Sequence, residues 1–167
     1  MLRTLRIRGW VLCLVIAAVS IGVGVLGGQA TVQAASKSIY VIADLNTQPT
    51  PIMAYGIEGT SVVYQATYSA PYYSGGAVGM AMDSDNAILF IVYEFSTVIQ
   101  LVDAQTMQPA GTTTISDLGR AAGVVYDHDN QRLYAVNRGT GTLYIFSWDP
   151  VSQTLTYQST QTLAGAR

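Results

Sequence analysis

One pattern of residues occurs twice in this chain, and it restricts the possible folds more than any other feature. The first copy begins at Gly79 and the second at Gly123, 44 positions later. The other identical pairs are Asp83 and Asp127, Asp85 and Asp129, Asn86 and Asn130, Leu89 and Leu133, and Val92 and Val136. A repeat of about 40 to 50 residues that consists of short strands and turns is typical of stacked β units.

Strand-like segments fill both copies, and turn-forming residues separate them. The first copy contains predicted strands at 77–82, 88–94, 97–103 and 110–115, and the second at 122–126, 132–137, 142–148 and 155–160. After residue 34 no segment has a helical pattern. A four-stranded antiparallel sheet is the unit of a β-propeller blade. We therefore predict an all-β chain of β-propeller blades with a period of about 44 residues.

The first part of the repeat region contains one predicted strand fewer. Segment 39–44 aligns with 89–94, the second strand of the complete blade, so we expect the opening blade to lack its inner strand. The predicted divisions are a partial first blade, a second blade, and a third blade with the start of the next linker, at 35–76, 77–120 and 121–167. Because a closed ring needs about four blades or more, we expect an incomplete ring. Either further blades or other copies of the chain would close it.

The first 34 residues are organised like a secretory signal peptide. Three arginines precede an uncharged apolar run at 10–26, and Val32 and Ala34 fit the small-residue cleavage site. The run has 17 residues, which approaches the about 18 to 20 needed to span a bilayer. We expect cleavage before Ala35, with a retained membrane anchor as the alternative. A cleaved signal and a retained anchor both predict a secreted, periplasmic or cell-surface protein. Only a retained anchor would contact the membrane.

Composition argues against several classes of function. The one cysteine, Cys13, lies in the apolar run, and His128 is the only histidine, so neither a disulfide nor a zinc site with several His or Cys ligands is expected. From residue 35 onward ten acidic residues oppose five basic ones, which gives a net charge of −5. A surface with this charge does not attract nucleic acid.

The second copy of the pattern, which lies in the third predicted blade, resembles a known family. Residues 127–146 read DHDNQRLYAVNRGTGTLYIF, and Asp149-Pro150 and a TLT sequence at 154–156 follow. This sequence resembles a blade of the YVTN and lactonase-like seven-bladed propellers, with an LYV-N core, a short turn and a T-L-T outer strand. The resemblance implies a propeller fold. It leaves the activity open, because such blades occur in lactonases, electron-transfer proteins and binding modules.

Three charged residues at equivalent strand ends are candidate ligand-binding residues. They are Arg138, Glu94 and Asp44. The resemblance implies that an arginine at this position faces the funnel of the propeller, where it could polarise a lactone carbonyl or hold a carboxylate. The alternative is a solvated rim of charges.

Paired carboxylates in two equivalent turns are the other candidates. The acids Asp83, Asp85, Asp127 and Asp129 could supply oxygen ligands to calcium, the one cofactor that the sequence suggests. The alternative is that Asp and Asn make local hydrogen bonds in a turn that every blade needs. His128 lies between two of these acids. We interpret it as an exposed turn residue, with a general base as the alternative.

Aromatic residues and glycines complete the set of candidates. Tyrosines and one tryptophan could stack on sugars or peptides, or pack between sheets, namely Tyr64, Tyr68, Tyr72, Tyr73 and Trp148. We also expect Gly79 and Gly123 to lie where a side chain would clash. The sequence favours a non-enzymatic module that binds protein or polysaccharide outside the cytoplasm. The alternative is part of a lactonase-like hydrolase whose other blades carry most of the catalytic groups.

Overall fold

Three four-stranded antiparallel sheets make up the described part of the chain. The computed structural model describes residues 14–18, 37–43, 49–71, 73 and 75–164. The rest of the predicted signal or anchor (1–34) and the candidate Asp44 lie outside the described residues. Within the described ranges, no helix is long and apolar enough to cross a membrane.

Neighbouring strands in each sheet are consecutive in sequence. The first sheet contains β1 (Leu14–Ala18), β2 (Lys37–Ile42), β3 (Thr50–Glu58) and β4 (Ser61–Ala70). The second contains β5 (Ala77–Asp83), β6 (Ile88–Tyr93), β7 (Val98–Asp103) and β8 (Gln108–Thr114). The third contains β9 (Ala121–Asp127), β10 (Arg132–Asn137), β11 (Thr142–Asp149) and β12 (Thr154–Thr162). The prediction of an all-β chain of propeller blades in an unclosed ring is confirmed.

The opening sheet differs from the expectation of a blade without an inner strand. Leu14–Ala18 pairs antiparallel with Lys37–Ile42, with Leu14 opposite Val41 and Ala18 opposite Lys37. An unpaired edge strand exposes N–H and C=O groups, and an extended segment can satisfy them. The apolar run that resembles a signal peptide therefore contributes strand β1.

The turns within the second and third blades repeat one local conformation. In each turn, the fourth residue after an aspartate has a positive φ of 49–53°, at Ala87, Met107, Gln131 and Gln153. The preceding aspartate accepts hydrogen bonds from the turn; Asp103 Oδ1, for example, accepts from the backbone N–H groups of Gln105 and Thr106, both at 2.8 Å. Aspartate thus caps the turn and lets one residue adopt the left-handed conformation.

Two hydrophobic clusters lie between adjacent sheets, one on each side of the middle blade. All six residues of β6 are buried because blades cover both of its faces. In β3 and β10, buried residues alternate with less buried ones. Each outer blade therefore packs against the middle one through a single face.

The two equivalent glycines differ in their surroundings. A Cβ atom at Gly79 would lie 3.0 Å from Val92 Cγ2 and 3.1 Å from the Cα of Gly123, so the predicted clash is confirmed there. At Gly123 the prediction is wrong, because no atom of the described residues lies within 4 Å of such a Cβ. Gly79 faces the neighbouring inner strand β9, whereas no described blade covers the other side of Gly123.

Candidate ligand-binding face

The turns that follow the second strands and the linkers between blades meet at one end of the molecule. The N–H of Glu94 donates to the carbonyl of Gly76 at 3.0 Å, and the N–H of Arg138 donates to the carbonyl of Arg120 at 2.9 Å. These bonds are equivalent, since Glu94 and Arg138 are 44 positions apart, and Gly76 and Arg120 are separated by the same number. Each strand end is thus fixed to the linker that enters its own blade.

Two of the three predicted ligand-binding residues contact each other at this end. Arg138 Nη2 donates to Glu94 Oε1 across the boundary between the second and third blades. The arginine side chain is 56% exposed and the glutamate side chain 30% exposed. The fold therefore brings together two charges from equivalent positions in adjacent blades, and both remain accessible to a ligand.

A second arginine and an aromatic ring extend this cluster, and the sequence did not identify them. The guanidinium carbon of Arg120 lies 5.7 Å from the centroid of the Phe95 ring, within the range of a cation–π contact. Phe95 is 47% exposed although it is large and apolar. The 44-residue offset aligns Arg120 with Gly76, and this change from glycine to arginine is the signal that could have identified it. We name Glu94, Phe95, Arg120 and Arg138 the arginine face.

A buried asparagine holds the turn that carries Arg138. Asn137 Oδ1 accepts hydrogen bonds from the N–H groups of Gly139 at 2.8 Å and Thr140 at 3.3 Å, and its Nδ2 donates to the carbonyl of Asp117 at 3.0 Å. The hydroxyl of Tyr144 donates to the same carbonyl at 2.7 Å. The linker between the blades is therefore fastened to the third blade by two side chains.

A polar groove of about 500 Å³ lies beside this linker, towards the outer strands of the second and third blades. Every lining side chain except Ile115 carries oxygen. They include Thr114, Ser116, Asp117, Thr142, Tyr144 and Tyr157. We refer to this feature as the hydroxyl groove.

The predicted calcium ligands lie at the opposite end of the blades, where they make turn and interblade contacts. Asp83 is buried; its Oδ2 accepts from Asn86 Nδ2 and from Trp148 Nε1 of the third blade, both at 2.8 Å. The equivalent Asp127 Oδ2 accepts from Asn130 Nδ2 at 2.8 Å, and this hydrogen bond lowers the pKa of Asp127. Among the described residues, no three His, Cys, Asp or Glu side chains are grouped to hold a metal ion.

The other two carboxylates of that set contact the only histidine. His128 Nε2 lies 2.7 Å from Asp85 Oδ2 in the preceding blade, and Nδ1 lies 3.4 Å from Asp129 Oδ1. Hydrogen bonding to Asp85, with a smaller effect from Asp129, raises the pKa of His128. The imidazole therefore links two blades at the end opposite to the arginine face.

The proposed stacking residues have different environments. Trp148 and Tyr68 are buried between sheets, and burial raises the pKa of Tyr68 to about 12. Tyr73 donates from its hydroxyl to Gln100 Oε1 at 3.1 Å, whereas Tyr64 is 56% exposed on β4. Tyr72 lies outside the described residues. Of the described members, only Tyr64 presents most of its side chain to solvent.

Solved structures with a similar fold include both lactonases and WD40 proteins. A putative 6-phosphogluconolactonase from Bacteroides fragilis superposes with a TM-score of 0.62 and 15% identity, over 75% of this chain and 36% of that one. The periplasmic gluconolactonase of Pseudomonas aeruginosa gives 0.59 and 14% identity, over 75% and 37% of the two chains. The WD40 repeats of RRP9 give 0.59 and 20% identity, over 98% and 42%. At these identities the similarity establishes the fold alone, and this chain spans about two fifths of the length of those structures.

The match to a sequence family is more specific. No curated protein matches the chain. Residues 52–167 match the family described as "Lactonase, 7-bladed beta-propeller". That segment contains nearly all of β3 and all of β4 in the first blade, and all strands of the second and third. Since it spans more than half of the sequence and agrees with the observed blades, the chain belongs to the lactonase-type seven-bladed β-propeller family.

Proposed function

We propose that this chain is part of an exported β-propeller that binds a protein or polysaccharide ligand at the arginine face without chemically changing it. The observation that carries the proposal is the contact of Arg138 with Glu94 beside Arg120 and Phe95. Exposed ion pairs contribute only about 0 to 1 kcal/mol to stability, so the fold gains little from this pair. Arginine and aromatic side chains, in contrast, are enriched among residues that dominate binding energy.

The chemistry of the face indicates what the ligand carries. Two guanidinium groups and one carboxylate give the arginine face a local excess of positive charge. Residues 35–167 as a whole, in contrast, have a net charge of −5. Guanidinium groups bind carboxylates through paired hydrogen bonds. We therefore expect a ligand with carboxylate groups, such as an acidic polysaccharide or an acidic protein surface.

The support beneath the face reduces the cost of binding. Asn137 holds the Gly139 and Thr140 amides, so the turn after Arg138 is fixed before a ligand arrives. A Cβ atom at Gly139 would lie 2.8 Å from Arg120 Cδ, so the two segments are closely packed. A prearranged surface loses less conformational entropy when it binds.

Replacement of Arg138 tests the proposal. Binding of immobilised alginate, hyaluronate and an acidic protein panel is measured by biolayer interferometry for the wild type and for Arg138→Ala. We expect binding of at least one of these ligands, and a loss of affinity of about tenfold or more in the variant. Binding should weaken as salt concentration rises, because salt screens exposed charges.

The control is Arg132→Ala. Arg132 is also exposed and begins strand β10, whereas Arg138 directly follows the other end of that strand. We expect this variant to bind like the wild type. Equal losses in the two variants would indicate a general charge effect, and unchanged binding by Arg138→Ala would exclude the arginine face as the site.

Hydrolysis of a lactone is the second candidate function, favoured by the family and by the exposed guanidinium of Arg138. In that reaction water attacks the carbonyl carbon, the ring C–O bond breaks, and a hydroxy acid forms. Arg138 would stabilise the negative charge on the carbonyl oxygen, while other blades of a longer propeller would supply the remaining groups. Acid release from glucono-1,5-lactone above the spontaneous rate, lost in Arg138→Ala and retained in Arg132→Ala, would favour this function over simple binding.

Export is the second part of the proposal. Its support is the basic start of the chain, the apolar run and the small residues before Ala35. N-terminal sequencing of the protein recovered outside the cytoplasm is expected to begin near Ala35. An intact chain in the membrane fraction would favour a retained anchor, and an intact chain in the cytoplasm would contradict export.

A further inference from the structure

The hydroxyl groove has a composition different from that of the arginine face. Its lining includes Thr114, Ser116, Thr142 and Tyr157, which carry hydroxyl groups, and Asp117 carries a carboxylate. Hydroxyl groups both donate and accept hydrogen bonds. A surface of this kind matches a ligand that itself carries many hydroxyl groups.

One side of the groove offers an aromatic ring to a ligand. Tyr157 on β12 is 46% exposed. Its ring packs edge to face against Phe146, with 6.1 Å between the ring centroids. The buried Phe146 thus supports a tyrosine that remains accessible from the groove. Exposed aromatic rings in polar surroundings provide apolar contact area together with a polar edge.

The other side of the groove is fixed by hydrogen bonds. The carbonyl of Asp117 accepts from Asn137 Nδ2 at 3.0 Å and from the Tyr144 hydroxyl at 2.7 Å. The linker that carries Ser116 and Asp117 is therefore attached to the third blade. The volume of about 500 Å³ lies within the about 300 to 1,000 Å³ typical of small-molecule sites.

We propose that the hydroxyl groove binds a neutral saccharide, with Tyr157 in contact with a sugar ring and Asp117 accepting hydrogen bonds from sugar hydroxyls. Among the residues that the structure describes, no lysine or arginine lines the groove, so this part of the chain offers no cation there to a carboxylated or phosphorylated sugar. The proposal does not rest on the arginine face, because Glu94, Arg120 and Arg138 do not line the groove. The two sites therefore select ligands of different charge.

The test measures binding of three neutral trisaccharides, maltotriose, cellotriose and N,N′,N″-triacetylchitotriose, to the full chain at millimolar concentration by saturation-transfer NMR and calorimetry. We expect at least one to bind saturably. Tyr157→Ala should weaken that binding about tenfold or more, whereas Tyr157→Phe should retain it because the ring remains. Asp117→Ala should also weaken it, because the variant lacks the carboxylate that accepts from sugar hydroxyls. The backbone carbonyl that fastens the linker is unaltered.

The matched control is Tyr134→Ala, which removes a partly buried tyrosine from β10 in the same blade, outside the groove. It should bind like the wild type, and circular dichroism should show that all variants are folded. Absence of binding by all three trisaccharides would overturn the proposal. So would undiminished binding by Tyr157→Ala, or a preference for trigalacturonate over the neutral sugars.

Discussion

At the scale of single residues, Gly79 is constrained by close packing between two inner strands. A side chain there would meet Val92 in its own blade and the backbone of Gly123 in the next. The backbone atoms cannot move without separating the strands, so the clash has no simple relief. Glycine is therefore required at Gly79 by its neighbour rather than by its backbone conformation.

We predict that Gly79→Val lowers the free energy of unfolding by about 1 to 3 kcal/mol, the usual cost of overpacking. Gly123→Val is the matched control, because it makes the same change at the equivalent position, where no described atom lies within 4 Å. It should change stability by less than about 0.5 kcal/mol. Chemical denaturation of both variants measures the difference, and equal losses would contradict the packing described here.

His128 predicts a dependence of stability on pH. Its pKa in the folded protein is raised above the ordinary value of 6.5 by hydrogen bonding to Asp85 and Asp129. Because the pKa is raised in the folded state, the contribution of protonated His128 to the free energy of unfolding is fully present below about pH 6.5. This contribution is lost as the pH rises through the folded-state pKa. NMR titration can follow this residue without ambiguity, because the chain has one histidine.

In that titration we expect Asp85→Asn to lower the pKa of His128 more than Asp129→Asn does. The reason is geometric, since the contact with Asp85 is 2.7 Å and the contact with Asp129 is 3.4 Å. A pKa unchanged by Asp85→Asn would show that the two blades are not linked through this pair in solution.

At the scale of elements, the same turn has different roles in different blades. Asp83 and Asp127 begin equivalent turns and accept the same hydrogen bond from an asparagine side chain. Asp83 is buried and also accepts from Trp148 of the next blade. Asp83 therefore makes an interblade contact, whereas the hydrogen bonds that Asp127 accepts come from its own turn.

We predict that Asp83→Ala lowers the free energy of unfolding by about 3 kcal/mol, because it leaves the buried indole N–H of Trp148 without its acceptor and removes several hydrogen bonds to a charged group. Asp127→Ala should cost less. In a Trp148→Phe background the two aspartate variants should differ less in free energy of unfolding, since the donor that distinguishes them is absent. Urea denaturation of both aspartate variants, with and without Trp148→Phe, checks this, and a larger loss for Asp127→Ala would contradict it.

The sequence predicted most elements because their turns are chemically explicit. Asp83 and Asp127 begin turns that recur with the period of the blade, and the bounds of the strands in these two blades lie within two residues of the predicted ones. Strand β1 was not predicted, because an apolar run after three arginines has the pattern of a signal peptide. Periodicity alone cannot distinguish an apolar strand from an apolar targeting segment.

The contacts of the candidate sites were less predictable. The equivalent strand-end positions of Arg138 and Glu94 predict a shared site, and their side chains are in contact. The stacking of Arg120 on Phe95 joins a linker to the end of a strand in another blade, so it depends on how adjacent blades pack. The same holds for the bond between Asp83 and Trp148, which are 65 residues apart. No local pattern encodes such pairs.

At the scale of the whole molecule, the outer blades each leave one face without a described neighbour. Val62 and Val125, on the first and third blades, are 60% and 64% exposed. Blades of repeat proteins bury their apolar sides against neighbours, and their stability depends on these interfaces. Residues 35–167 also lack β1, so the edge of β2 would be unpaired.

We predict that the chain cleaved before Ala35, residues 35–167, is oligomeric or prone to aggregation at tens of micromolar, as measured by light scattering. Val125→Lys should reduce this association, because it places a charge on the uncovered face of the third blade. Val151→Lys is the control, since Val151 is 94% exposed in a turn. A soluble monomer that unfolds cooperatively would contradict the prediction.

The burial of all six residues of β6 has a consequence for the rates at which amide protons exchange with solvent. Strand β6 is hydrogen-bonded on both edges and covered on both faces, whereas its counterpart β10 is covered on one. Exchange from β6 then requires separation of blades, while exchange from β4 and β12 requires only fraying of an edge. In deuterium-exchange mass spectrometry, peptides covering 88–93 should therefore exchange more slowly than those covering 132–137. The last protons to exchange would mark the middle blade as the part of the molecule that opens last.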